Sequence, residues 1–164
     1  MLSPKIEAAL NEQLNAELQS AYLYLAMTAW FDNQGLSGFA GWMKAQFKEE
    51  LEHAFRFYRY INDRGGKVSL GAITAPPDSW ESPLAAFKAA YEHEVSISQR
   101  INRLVDLAAG ENDHATGAFL QWFVTAQVEE EASVDAVVQK LKLIGDRPHA
   151  LFMIDRELGR RASQ

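Results

Sequence analysis

Apolar residues recur along this chain at alternating steps of three and four, the rhythm of a helix that buries one face, over four long stretches. Ser3 followed by Pro4 predicts an N-cap and a first helical residue, and Asn33-Gln34-Gly35 predicts the stop. Between them runs a seam of Leu10, Leu14, Glu17, Ala21, Tyr24, Thr28 and Phe31. A second helix starts near Leu36 or Ser37 and ends at Gly65-Gly66, with Leu36, Phe39, Met43, Gln46, Glu50, His53, Phe57 and Tyr60 on one side. Ser82-Pro83 opens a third, whose seam reads Leu84, Phe87, Tyr91, Glu94, Ser98, Ile101, Val105 and Ala108, with Gly110 as its stop. A fourth runs from Asn112 or Asp113 to Ile144-Gly145 along Leu120, Phe123, Gln127, Glu130, Val134, Val137, Leu141 and Ile144. A shorter amphipathic helix, His149 to Arg160, follows Pro148 and brings Leu151, Ile154 and Leu158 to one side.

Between the second and third helices the rhythm fails. From Lys67 to Ser82, Val68, Leu70 and Ile73 alternate as in a short strand, and Pro76-Pro77 with Asp78-Ser79 excludes a helix. A connector of this length spans a bundle end to end and so joins two parallel helices. The predicted fold is all-α: a four-helix bundle with a long crossover between the second and third helices and a short fifth, C-terminal helix, in one domain over residues 1–164. Trp30, Trp42, Trp80 and the apolar side of the last helix (Leu151, Phe152, Ile154, Leu158) fall outside the four seams. This predicts contacts with further copies of the chain, the connector pairing with its own symmetry mate and the last helix meeting copies of itself.

Each long helix interrupts its seam with an acid near the midpoint: Glu17, then Glu50 with His53, then Glu94, then Glu130 with Gln127. These should meet at one level inside the bundle. Glu50 and His53, three apart, lie one turn apart on one face and can reach one metal ion. That pair alone is weak, since Glu and His at this spacing are common on solvated faces. Burying unpaired carboxylates costs several kcal/mol each, however, and no lysine or arginine occupies a seam to pair with them. Two divalent cations would balance the four glutamates. Oxygen and nitrogen donors without sulfur suit iron or manganese, and a Glu-x-x-His facing further glutamates is the donor set of di-iron carboxylate bundles.

Composition narrows the chemistry further. With no cysteine, disulfides, thiolate metal sites and cysteine nucleophiles are excluded, which fits a cytoplasmic protein. A net charge of −6 disfavours nucleic acid as a partner, and no stretch is apolar enough for a signal peptide or a membrane span.

The stretches Asn15-Ala16-Glu17, Ser20-Ala21-Tyr22-Leu23-Tyr24, Glu49-Glu50-Leu51-Glu52-His53, Tyr91-Glu92-His93-Glu94, Phe119-Leu120-Gln121-Trp122 and Gln127-Val128-Glu129-Glu130 resemble those of bacterial-type non-haem ferritins, over essentially the whole chain. The resemblance implies a ferritin-like four-helix bundle and an iron-storage protein with ferroxidase activity, oxidising ferrous iron with dioxygen or peroxide. It implies a homo-oligomeric hollow shell of about twenty-four subunits that stores ferric mineral. Residue by residue, it implies that Glu17, Glu50 and His53 hold the first iron, that Glu50 bridges, and that Glu94 and Glu130 hold the second. Gln127 would support these ligands, and Tyr24 and Trp122 would be aromatic neighbours able to supply an electron. Simple core packing is the alternative for both aromatics.

The departures are equally specific. Many relatives build a third iron position partly from a glutamate that is Ala126 here, leaving Glu49 and Glu129 as its candidate ligands. Leu51 and Glu130 stand where haem-binding relatives place Met and His, which argues against haem, and the lack of cysteine excludes a rubredoxin-like iron. Two other classes compete: a metal-free structural or interaction bundle whose polar layer fixes register, and a DNA-protecting miniature cage, which the acidic charge and the lack of a basic tail disfavour. His93, His114 and His149 read as surface or packing histidines, Glu92, Glu111 and Glu131 as solvated charges, and Lys44, Lys48, Arg56 and Arg59 as members of surface ion pairs.

Overall fold

The computed structural model describes residues 1–161; residues 162–164, the end of the expected domain, lie outside them. Five helices follow one another: α1 (Pro4–Asn33), α2 (Ser37–Asp63), α3 (Pro83–Gly110), α4 (His114–Ile144) and α5 (Pro148–Gly159). The architecture is the expected all-α bundle of four long helices and a short fifth.

Local chemistry sets the ends. Ser3 accepts from Ile6 N at 3.2 Å and Ser82 from Ala85 N at 3.0 Å, each ahead of the proline that opens its helix. Asp113 caps α4 through Thr116 N at 3.0 Å. Gly35 (φ 73°) turns α1 into α2 through the left-handed region that side chains resist. Gly110 is the last residue of α3, the stop predicted for it, but the left-handed turn that follows is made by Asn112 (φ 56°) two residues later.

Two apolar clusters fill the bundle. One joins the end of α1, the starts of α2 and α3, the end of α4 and α5, around Phe31, Phe39, Phe87 and Val134. The other joins the start of α1, the ends of α2 and α3 and the start of α4, around Leu10, Phe57, Ile101 and Phe123. This assignment makes α2 and α3 parallel, as the crossover required. The seams of α1, α2 and α4 are buried where expected, save that Tyr60 and Ile144 at their ends are only partly covered, but α3 is rotated. Its buried line is Phe87, Ala90, Glu94, Ile97, Ile101, Leu104 and Ala108, with Leu84, Tyr91, Ser98 and Val105 only partly covered. Small alanines at 86 and 90 let the helix approach closely, an option that apolar periodicity alone does not weigh.

Three further expectations need correction. Trp42, Ile154 and Leu158 are buried within the chain's own core because α5 folds back onto α2, and Trp30 is buried there against Phe31 and Trp80; only Phe152, among the named residues of the last helix, stays exposed. Gly38 permits the contact, since a Cβ there would lie 1.6 Å from Asp155 O, and Phe39 N donates to Asp155 Oδ1 at 2.9 Å. The connector contains no strand among the described residues. Its backbone is instead held by three amides one turn apart on α1. Asn11 bonds Lys67 O (2.9 Å) and Ser69 N (2.7 Å), Asn15 bonds Gly71 N (3.2 Å) and Ala72 O (3.1 Å), and Gln19 bonds both backbone groups of Thr74 (2.9 Å). Side-chain amides here take the place of a neighbouring strand. Among the described residues, no helix is long and apolar enough to cross a membrane.

Candidate metal centre

Between the two apolar clusters lies a polar layer. Glu17, Glu50, Glu94, Glu130, His53, Gln46 and Gln127 are all buried in it, one or more from each long helix, because the midpoints of the four seams come to one level. Two groups of three form within it. Glu17, Glu50 and His53 each offer a ligand atom within 4.8 Å of the others, and so do Glu50, Glu94 and Glu130. Glu50 belongs to both. The five residues anticipated as ligands are thus brought together, in the anticipated division.

His53 Nδ1 lies 3.2 Å from Glu50 Oε2 and 3.7 Å from Glu17 Oε2. It is the only cationic side chain within 4.0 Å of these carboxylates among the described residues. Burial favours the neutral ring, but the Glu17 and Glu50 carboxylates beside it outweigh that and push His53 up to about 11. Burial, reinforced by Glu94, raises Glu50 well above the usual carboxylate range, and burial raises Glu94 too. Glu130 is pushed up to about 7, by burial and then by Glu94. Protons therefore stand in for positive charge, and a bound cation would displace them.

Most carboxylate oxygens here have donors. Tyr24 Oη donates to Glu94 Oε1 at 2.6 Å, and burial with the nearby acids holds its phenol well above the ordinary value, so it remains a neutral donor. Gln127 Nε2 donates to Glu94 Oε2 at 3.1 Å, Gln46 Nε2 to Glu130 Oε2 at 2.8 Å, and Gln13 Nε2 to Glu17 Oε1 at 2.7 Å. Glu17 Oε2, by contrast, is buried with no hydrogen-bond partner. An orphaned carboxylate oxygen beside an imidazole is what a missing cation would leave. The all-oxygen-and-nitrogen donor set fits iron.

Trp122 is 40% exposed and sets its edge to the His53 ring, with centroids 5.4 Å apart. Arg56 stacks on its other side at 3.8 Å rather than joining an ion pair. Glu49 and Glu129 are exposed and stand outside both groups; with Ala126, His53 and Glu130 they line a surface cleft. Glu49 Oε1 is held at 3.0 Å by Arg161. His93 is the packing histidine expected, its Nε2 2.7 Å from Ser20 Oγ and its ring kept neutral by burial, while His114 and His149 are exposed. Sequence reasoning missed Gln13, Arg100 and Arg161. Gln46 was legible as a polar break in the α2 seam but was given no role.

The family description "Ferritin-like domain" matches residues 7–144. A bacterial non-heme ferritin of Bacteroides fragilis (strain 638R) is 45% identical over 161 residues, covering 98% of this chain and all of the relative. One of Staphylococcus aureus (strain MRSA252) is 40% identical, covering 98% of this chain and 97% of that one. Among solved structures, an open pore ferritin from the hyperthermophilic archaeon Archaeoglobus fulgidus superposes with a TM-score of 0.96 at 52% identity, covering 97% of this chain and 98% of that chain.

Proposed function

This chain belongs to the ferritin family, and on that premise we propose that it oxidises ferrous iron at the buried carboxylate layer and stores the ferric product inside a shell of its own copies. The observation that carries the reading is the pair of three-residue groups sharing Glu50. Ferrous iron, as substrate, would occupy the Glu17, Glu50 and His53 position and the Glu50, Glu94 and Glu130 position. Hard carboxylates stabilise ferric over ferrous iron, and two ions together deliver two electrons to dioxygen or peroxide. His53 must release its proton to solvent before Nδ1 can bind. Tyr24, bonded to Glu94, would supply an electron, Gln127, bonded to Glu94, would steady it, and Trp122, beside the His53 ring, would be a second aromatic donor.

The shell rests on the family and on apolar side chains left in solvent. Leu143, Phe152 and Met153 are 80%, 62% and 74% exposed at the α4 and α5 end, and Leu70 is 66% exposed on the connector. A count of about twenty-four subunits in the cytoplasm completes the proposal. A metal-free polar layer is the competing reading; it requires every buried acid oxygen to be satisfied, and Glu17 Oε2 is not. Anaerobic ferrous titration followed by air tests the proposal: saturable uptake of about two ions per subunit with rapid optical change on oxygenation is expected, and no saturable uptake would sink it. Light scattering tests the shell, a particle near the 18.4 kDa of one chain being the contrary result.

A further inference from the structure

Three glutamine amides touch the carboxylate layer, and two of them are gripped from outside by an arginine. Gln13 Nε2 donates to Glu17 Oε1 at 2.7 Å, while Gln13 Oε1 accepts from Arg100 Nε at 3.2 Å. At the other group, Gln46 Nε2 donates to Glu130 Oε2 at 2.8 Å, while Gln46 Oε1 accepts from Arg161 Nη2. Each arginine is itself anchored. Arg100 Nη2 donates to Glu12 O at 3.3 Å, and Arg161 donates to Glu49 at 3.0 Å and stacks over Trp42 at 4.5 Å. Gln127 lacks this arrangement; its amide nitrogen is shared among Glu94 O, Glu94 Oε2 and Ser98 Oγ.

The chemistry of the three groups makes each line directional. A carboxylate only accepts and a guanidinium only donates, whereas an amide has one end of each kind and nearly the same shape when flipped. Placed between them, the amide has a single favourable orientation, oxygen toward the arginine and nitrogen toward the glutamate. The flipped amide would set oxygen against oxygen and N–H against N–H. Fixing the amide anchors one oxygen of the glutamate. For Glu17 this leaves Oε2, the atom without a partner, aimed toward His53.

We propose that Arg100 and Arg161 are positioning residues for the two ends of the centre, acting on Glu17 through Gln13 and on Glu130 through Gln46. The inference rests on the reading of the layer as an iron site. It also carries a sign that separates it from a simple charge effect. Removing a guanidinium leaves the centre more negative, which by itself favours cations; loss of the amide's orientation acts the other way.

A double-mutant cycle on the full-length assembled protein reads this, using anaerobic ferrous iron as the titrant in calorimetry. Gln13→Met and Gln46→Met, near-isosteric changes, should each weaken uptake about tenfold. Arg100→Ala and Arg161→Ala, made at the rim where folding is least at risk, should weaken it in the same direction. Adding either arginine change to its glutamine partner's change should produce no further weakening. Unchanged or tighter uptake in the arginine variants, or a weakening that persists in the Met backgrounds, overturns the positioning role alone. Absence of saturable uptake in the unmodified protein overturns the iron-site reading and the relay with it.

Discussion

Glu50 Oε2 lies 3.2 Å from His53 Nδ1, one turn away on α2, and Glu50 is the carboxylate that the two groups of candidate ligands share. This one contact joins the sequence spacing to the chemistry. Without metal it is a charge-assisted hydrogen bond; on the proposed function the same two atoms would become iron ligands and the proton between them would have to leave.

Replacing His53 with Ala removes the only nitrogen among the proposed iron ligands. The rate of the first oxidation phase should fall at least about tenfold, as loss of a metal-site partner commonly does. The fold should persist, because Glu50 and Glu94 already sit above the usual carboxylate range and can hold protons instead. Stopped-flow absorbance after oxygenation, with circular dichroism as the control, checks both; an unaltered initial rate would remove His53 from the centre.

The pH dependence has a definite sign. His53, raised from 6.5 to about 11, stabilises the metal-free fold fully below pH 6.5 and loses that contribution as pH rises through about 11. Glu130, raised from 4.5 to about 7, favours its neutral form in the fold, so its contribution also declines as pH rises from 4.5 through about 7. Iron must displace these protons. Ferrous uptake should therefore release protons and weaken below about pH 7; calorimetry in buffers of different ionisation heat would show no buffer dependence if the layer were already deprotonated.

Asp113 supplies a contrasting test away from the layer. It caps α4 and receives both Arg64 Nη1 (3.1 Å) and Nη2 (3.2 Å), and although burial opposes its charge, the Arg64 and Thr116 hydrogen bonds hold it down at about 2. Asp113→Ala should cost about 1–3 kcal/mol by thermal or denaturant melting while leaving iron uptake unchanged. The wild-type contribution should be present above pH 3.8 and disappear as pH falls through about 2.

The amide ladder on α1 should govern the connector's local stability. Replacing Asn11, Asn15 and Gln19 together with Ala removes the six side-chain bonds to residues 67–74. Backbone amides of Ser69, Gly71 and Thr74 should then exchange with solvent at least about tenfold faster while core amides of α2 stay protected. Equal exchange in the variant would show that the connector is held by something else.

The helices, their order and the buried acidic layer were legible because they depend on periodicity and on uncompensated polarity, both local properties of the chain. Glu17, Glu50, Glu94 and Glu130 announce themselves by occupying apolar rhythm without a cation to pair with. The α3 seam was misplaced because Ala86 and Ala90, not Leu84 and Tyr91, face the bundle, and alanine carries little hydrophobic signal. Trp42 was assigned to contacts between copies because the return of α5 onto α2, licensed by Gly38, is a tertiary event with no periodic signature, and Trp30 because its partner Trp80 lies in the connector. Arg100 and Arg161 lie 87 and 115 residues from the glutamines they grip, beyond any local spacing rule.

The central claim is that two iron ions sit side by side on Glu50. Crystals soaked anaerobically in ferrous salt and measured at the iron absorption edge test it directly. Two anomalous peaks are expected inside the bundle, one among Glu17, Glu50 and His53 and one among Glu50, Glu94 and Glu130. Iron found only in the surface cleft at Glu49 and Glu129, with the buried layer empty, would contradict it.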